Sequence, residues 1–134
     1  MKTNNESPNK NKLNVLILED SPSALLDLKS KLIDFEEIER IQEASNYEKA
    51  VNILDNTNID VAFVDLTIPE KTGMDFIVDH LKKHEKFQNI PIIVTTSSDE
   101  DSLLKHSLKG LTYRYLHKPI EEEEIREAID NLPT

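Results

Sequence analysis

Strand-like runs in this chain repeatedly stop on a side chain that can do chemistry. "LNVLIL" ends on Glu19 and Asp20, "IDVAFV" on Asp65, "IPIIVT" on Thr96, and "TYRYLH" on Lys118. A carboxylate at the end of a buried run is costly unless something nearby takes up its charge. Three carboxylates brought together need a shared proton or a cation. An all-oxygen site with few ligands and room for water suits Mg2+. A hydroxyl and an ammonium beside it would meet the oxygens of a phosphoryl group in transfer. Asp65 would then be the nucleophile, becoming an acyl phosphate. Taken singly, each residue has a plainer use. Acids after strands cap helices and fill turns, threonine is common in strands, and a lysine at a strand end meets solvent. Only a fold that gathers all of them gives the set its meaning.

The elements that must do the gathering alternate. After the polar stretch "MKTNNESPNKNK", read as a disordered lead-in over residues 1–12, one domain is expected over residues 13–134. "LNVLIL" is the first strand. Ser21 and Pro22 stand as N-cap and first helical residue, followed by Leu25, Leu28, Leu32 and Phe35 at helical spacing. "EIERIQEA" is the second strand. "SNYE", Ser45 to Glu48, has capping-box spacing, with Tyr47, Ala50, Val51 and Leu54 behind it. "IDVAFVD" is the third strand, and Gly73 opens a helix whose inward face carries Met74, Ile77, Val78 and Leu81. "IPIIVTT" is the fourth strand. "SDED" starts a fourth helix with Leu104 and Leu108. "TYRYLHK" is the fifth strand. Pro119 starts a fifth helix with Ile125, Ala128, Ile129 and Leu132 facing inward, its acidic first turn, Glu121 to Glu124, in solvent.

Strand–helix alternation of this kind implies parallel pairing through right-handed crossovers. The first, third and fourth strands are continuously apolar, as central strands are. The second and fifth carry charge, as edges do. The pattern predicts an α/β flavodoxin-like, doubly wound sheet of five parallel strands in the order 2-1-3-4-5, with five helices. Its switch point lies between strands one and three, beyond whose carboxyl ends ligands bind. Glu19, Asp20 and Asp65 all stand there.

Composition narrows the classes. The 134-residue chain has no cysteine, so disulfides, zinc–thiolate sites and thiol chemistry are excluded. Its formal charge of −10 argues against a nucleic-acid binder. No run approaches a membrane span and no signal peptide opens the chain, so a cytoplasmic protein is expected. A flavin or nucleotide enzyme on the same scaffold is disfavoured because "EDSPSA" lacks the glycine fingerprint and the chain holds only two glycines.

With "LILED", "VDLTIPEKTG", "PIIVTTS" and "YLHKPI" in this order and spacing, the sequence resembles the receiver domain of two-component response regulators, from about Leu13 to Leu132. The resemblance implies a stand-alone, chemotaxis-regulator-like phosphoprotein of a two-component phosphorelay, a signal-transduction switch rather than an enzyme. It implies Asp65 as phosphoacceptor, and Mg2+ held by Asp20, Asp65 and the Thr67 backbone carbonyl, with Glu19 acting through water. Thr96 and Lys118 contact the phosphoryl group, and the Lys118–Pro119 bond is cis. Tyr115 matches the aromatic that swings inward as Thr96 moves, although an ordinary edge-strand tyrosine is the competing reading. The phosphoryl donor is a histidine kinase or a histidine phosphotransfer protein. The readout is an unknown downstream protein, with no nucleic acid and no membrane, since the sequence ends just after the fifth helix. The alternative is a receiver-like module that docks without phosphorylation.

Some positions carry narrower expectations. Pro69 stiffens the loop after the acceptor, and Gly73 permits a tight turn into the third helix. The family's Gly-Ala pair before the fifth strand is replaced by Leu111 and Thr112, with Gly110 one place early, which alters a partner-facing surface. Ser97 is small, which preserves phosphate access. Thr67 and Ser98 lack a carboxylate or amide to orient water, so slow self-hydrolysis is expected. His80 and His84, four apart, are read as a solvated helix face, and His117 as lying near the pocket rim.

Overall fold

The structure is a computed structural model that describes residues 12–66, 76–97 and 112–133. Five strands, β1 (Leu13–Leu18), β2 (Ile38–Ala44), β3 (Val61–Asp65), β4 (Ile92–Thr96) and β5 (Arg114–His117), form one sheet in the order β2-β1-β3-β4-β5. Every pairing is parallel, and the registers Leu18↔Val64, Asp65↔Thr95 and Thr96↔His117 bring the strand ends to one edge. This is the expected doubly wound sheet. β1, β3 and β4 are central, and the charged β2 and β5 are the edges.

Side chains alternate across the sheet. Leu16, Leu18, Ala62, Val64, Ile92 and Val94 face Ala50 and Leu54 of α2 (Tyr47–Asn56) together with Phe76, Leu81 and Phe87. Val15, Ile17, Val61, Phe63, Ile93 and Leu116 face Leu28 and Leu32 of α1 (Pro22–Leu32), Phe35, and Ile125, Ala128 and Ile129 of α3 (Glu122–Asp130). Each fully buried aliphatic or aromatic side chain contributes about 1.5–3 kcal/mol. The two clusters are what hold the strand ends in place. Among the described residues no helix is long and apolar enough to cross a membrane.

α1 begins as its sequence dictates, with Pro22 leading the helix and the Ser21 hydroxyl accepting from the Ala24 N–H. Two other helix starts differ from expectation. α2 is capped by Asn46, whose Oδ1 accepts from the Lys49 N–H at 2.8 Å, while Ser45 Oγ accepts from the Lys49 ammonium instead. α3 begins at Glu122 rather than Pro119. Glu121 is its N-cap, and the Glu121 N–H is taken by Glu124 Oε1 at 3.0 Å, one arm of a capping box that marks the helix start. Of the expected third helix, the described part is π-helical over Phe76–Leu81. Pro69, Gly73, Met74 and the side chains of Ile77 and Val78 lie outside the described residues. So does the fourth helix, with Leu104, Leu108, Gly110 and Leu111.

His80 does not sit on a solvated face. Its ring stacks between Phe76, at 6.0 Å and 11°, and Phe87, at 5.4 Å and 26°. Its Nε2 is buried and has no hydrogen-bond partner among the described residues. Burial lowers its pKa below the usual histidine value, and the neighbouring His84 lowers it further, against a weaker opposing pull from Asp55. The unfolded imidazole titrates near about 6.5, so below that pH the unfolded chain binds the extra proton first. The stability held by neutral His80 is complete above that value and is lost as pH falls through the lower folded value. Urea titrations of wild type and His80→Phe at pH 7.5 and 5.5 are expected to show the larger acid loss in the wild type. Equal losses would refute the neutral, buried assignment.

Candidate functional site

β1 and β3 are neighbours, so the residues that follow or end them stand side by side. The Glu19 N–H donates to the Ala44 carbonyl at 3.0 Å, carrying the β1–β2 ladder one residue past the strand. The chain then turns into α1, and the Ser21 N–H donates to Glu19 Oε2 at 3.1 Å. Asp65 is the last residue of β3, and the next N–H, of Leu66, donates to the Thr95 carbonyl at 3.3 Å. One carboxylate oxygen from each of Glu19, Asp20 and Asp65 lies within 4.8 Å of the other two. Glu19 is 4% and Asp65 3% exposed, while Asp20 is open to solvent.

Lys118 completes the group from β5. Its Nζ donates to Glu19 Oε1 at 2.6 Å and to Asp65 Oδ2 at 3.2 Å. Burial pushes the Lys118 ammonium down, but its hydrogen bond to Glu19 and the charges of Asp65 and Glu19 outweigh this and hold its pKa above the usual lysine value. Burial also raises Glu19 above the usual carboxylate range. The neighbouring Asp65 adds to that rise, and the bonds from Lys118 and Ser21 only partly counter it. With the carboxylates ionised, three negative charges meet one positive charge. The site therefore retains about two negative charges and has an all-oxygen donor set that a divalent cation can satisfy.

Thr96 is fully buried at the end of β4. Its carbonyl holds the Lys118 N–H, so β4 positions the backbone that carries the lysine. The Lys118–Pro119 peptide is cis. Tyr115 pairs in register with Val94, its ring packs against the α2-side core, and its hydroxyl is buried. It is an edge-strand residue whose side chain points inward. His117 pairs with Thr96 in register and is exposed. Thr67 and Ser98 lie outside the described residues.

A cavity of about 390 Å3 opens beside the acids, between α1 and the loop after β5, lined by Ala24, Asp27, Leu28, Thr95, Lys118 and Ile120 among others. A larger cleft of about 520 Å3 lies at the opposite ends of the strands. There Asp60 accepts from the Asn14 N–H and Glu37 from Arg126, so two of its carboxylates already serve the fold. Sequence reasoning missed two contacts. One is the direct Glu19–Lys118 pair, which only the relative placement of β1 and β5 reveals. The other is the bond from Lys31 Nζ to the Ile120 carbonyl at 2.7 Å.

The family model of the response regulator receiver domain matches residues 15–130. The transcriptional regulatory protein DegU of Brevibacillus brevis is 26% identical over 125 residues, covering 93% of this chain and 52% of DegU. The chain thus spans about half the length of such curated relatives. Among solved structures, the Vibrio cholerae chemotaxis protein CheY4 matches with a TM-score of 0.80 at 20% identity, over 91% of this chain and 99% of that one. The receiver domain of the sensor histidine kinase PA1611 from Pseudomonas aeruginosa, solved with a magnesium ion coordinated in its active site cleft, matches with a TM-score of 0.77 at 18% identity. That match covers 89% of this chain and 95% of the other.

Proposed function

Because this chain belongs to the response regulator receiver domain family, we propose that its phosphoacceptor is Asp65 and that phosphorylation there changes a protein-binding surface. The observation that carries this assignment is the Lys118 ammonium lying within 3.2 Å of an Asp65 oxygen at the switch-point edge of the sheet. An Asp65 oxygen bonds to phosphorus, the bond from phosphorus to the donor imidazole breaks, and the imidazole leaves with a proton. Lys118 turns from the carboxylates toward the incoming phosphoryl oxygens, and the Thr96 hydroxyl donates to another.

The three carboxylates fit Mg2+ in donor type and in residual charge. Asp20, Asp65 and the Thr67 backbone carbonyl would hold the ion directly, and Glu19 through water. When bound, magnesium supplies positive charge to the transferring phosphoryl group. The donor is a histidine kinase or a histidine phosphotransfer protein, the readout is another protein, and the site of action is the cytoplasm. The domain promotes its own phosphorylation and the hydrolysis of its acyl phosphate, and it serves as a switch rather than an enzyme. Thr96 and Tyr115 are the residues whose rearrangement on phosphorylation links phosphate to surface.

Amide spectra recorded with beryllofluoride, a phosphoryl mimic, are the test. Signals around Thr96 and Tyr115 are expected to shift when beryllofluoride and Mg2+ are added together and to stay in place with either alone. An unchanged spectrum would favour docking without phosphorylation.

A further inference from the structure

The loop that carries Lys118 is tied down twice. Its near end is held where the Lys118 N–H meets the Thr96 carbonyl at 2.7 Å. Its far end is held from α1, where Lys31 Nζ donates to the Ile120 carbonyl at 2.7 Å across 89 positions of sequence. Lys31 is itself fixed, because the same ammonium donates to Asp27 Oδ2 at 2.9 Å, one helical turn away. Asp27, Lys118 and Ile120 line one cavity, and the Ile120 side chain is buried.

An exposed i,i+4 ion pair ordinarily does little. This one differs because its cation also bonds a carbonyl from a distant segment, and a charged donor makes the stronger kind of hydrogen bond. A water molecule in place of Lys31 would satisfy the Ile120 carbonyl but would not tie it to α1. Lys118 stands two residues before that carbonyl and must reach 3.2 Å from Asp65. A slack loop would let its ammonium settle toward Glu19, the nearer partner at 2.6 Å.

We propose that Lys31 is a positioning residue for phosphoryl transfer: by anchoring the Ile120 carbonyl to α1, with Asp27 holding its ammonium in place, it sets the stance of Lys118 toward Asp65. This rests on the roles assigned to Lys118 and Asp65 under the proposed function.

The test uses small reagents, which need no docking surface on α1: beryllofluoride binding in Mg2+, phosphorylation by acetyl phosphate, and Mg2+ binding alone. Lys31→Met is expected to weaken beryllofluoride binding and to slow phosphorylation by about tenfold each, with Mg2+ affinity not weakened. A merely structural role would weaken all three together. Lys31→Arg, which keeps a charged donor of similar reach, is expected to restore most of the rate. Should Lys31→Met fail to fold, Asp27→Asn, which loosens the ammonium without removing it, is expected to slow phosphorylation about threefold, and an unaltered rate there would overturn the proposal. A wild-type protein competent in both assays beside an equally competent Lys31→Met would overturn this proposal alone. A wild-type protein inert to both reagents would overturn the assignment of Asp65 and this proposal with it.

Discussion

Asp65→Asn is expected to take up no phosphoryl group from a histidine kinase or from acetyl phosphate, and in the absence of metal to melt at a higher temperature than the wild type. The first effect follows from the chemistry, because an amide oxygen is a poor nucleophile toward phosphorus and Asp65 is the buried carboxylate that ends β3 within reach of Lys118. The second follows from the charges. Asp65 faces two carboxylates within 4.8 Å and one ammonium at 3.2 Å, so one repulsion is left uncancelled. At an effective dielectric of about 20, two such charges repel by roughly 3 kcal/mol, and solvent around Asp20 screens much of that. A net gain of about 1 kcal/mol corresponds to a rise of about 4 °C for a domain of this size. Added Mg2+ is expected to stabilise the wild type more than the variant. Radiolabelled phosphate and melting curves in EDTA read both effects. Label on Asp65→Asn, or a lower melting temperature without metal, would sink the assignment.

The sheet and most of the site were legible because they rest on long-lived patterns. β1, β3 and β4 are apolar at every position that matters, and such strands have to be central. Once the order is fixed, the residues after β1 and at the end of β3 meet by topology alone, which is how Glu19, Asp20 and Asp65 could be grouped. Lys118 could be added because β5 runs parallel and ends at the same edge.

Where local signals compete, the sequence is less decisive. Ser45 and Asn46 are both competent caps, and it is Asn46 that accepts from the Lys49 N–H, while Ser45 accepts from the Lys49 ammonium. Pro119 is a good first helical residue, but the capping box between Glu121 and Glu124 marks a later start. His80 was placed on the polar side by counting α-helical turns, whereas the segment is π-helical and Phe87, from the following loop, covers it. The Lys31–Ile120 bond has no local signature at all, since its partners are 89 positions apart. From sequence alone Asp27 and Lys31 make a commonplace surface pair.

Lys118→Met separates two jobs that one ammonium performs, and the expected results run in opposite directions. Without metal, Glu19 and Asp65 keep their burial and lose their shared cation, with side chains only 5% and 4% exposed. Removing one partner of a buried pair costs about 3–5 kcal/mol, so the metal-free variant is expected to melt well below the wild type. The same loss clears a competitor from the carboxylates. Lys118 stands at 2.6 Å and 3.2 Å from oxygens of Glu19 and Asp65, two of the three carboxylates proposed to hold the ion directly or through water. Mg2+ affinity is therefore expected to rise about tenfold, equivalent to roughly 1.4 kcal/mol, and saturating Mg2+ to recover much of the lost stability. Phosphorylation moves the other way. The oxygens of the transferring group lose a charged donor, and removing one such donor costs about 100- to 1,000-fold in rate. A variant that binds magnesium more tightly, is rescued by it, and yet barely takes up phosphate would identify Lys118 as a counter-charge to the phosphoryl group rather than a strut for the acids. Magnesium affinity at the wild-type value, or phosphorylation within a few-fold of it, would show that the ammonium contributes only to folding.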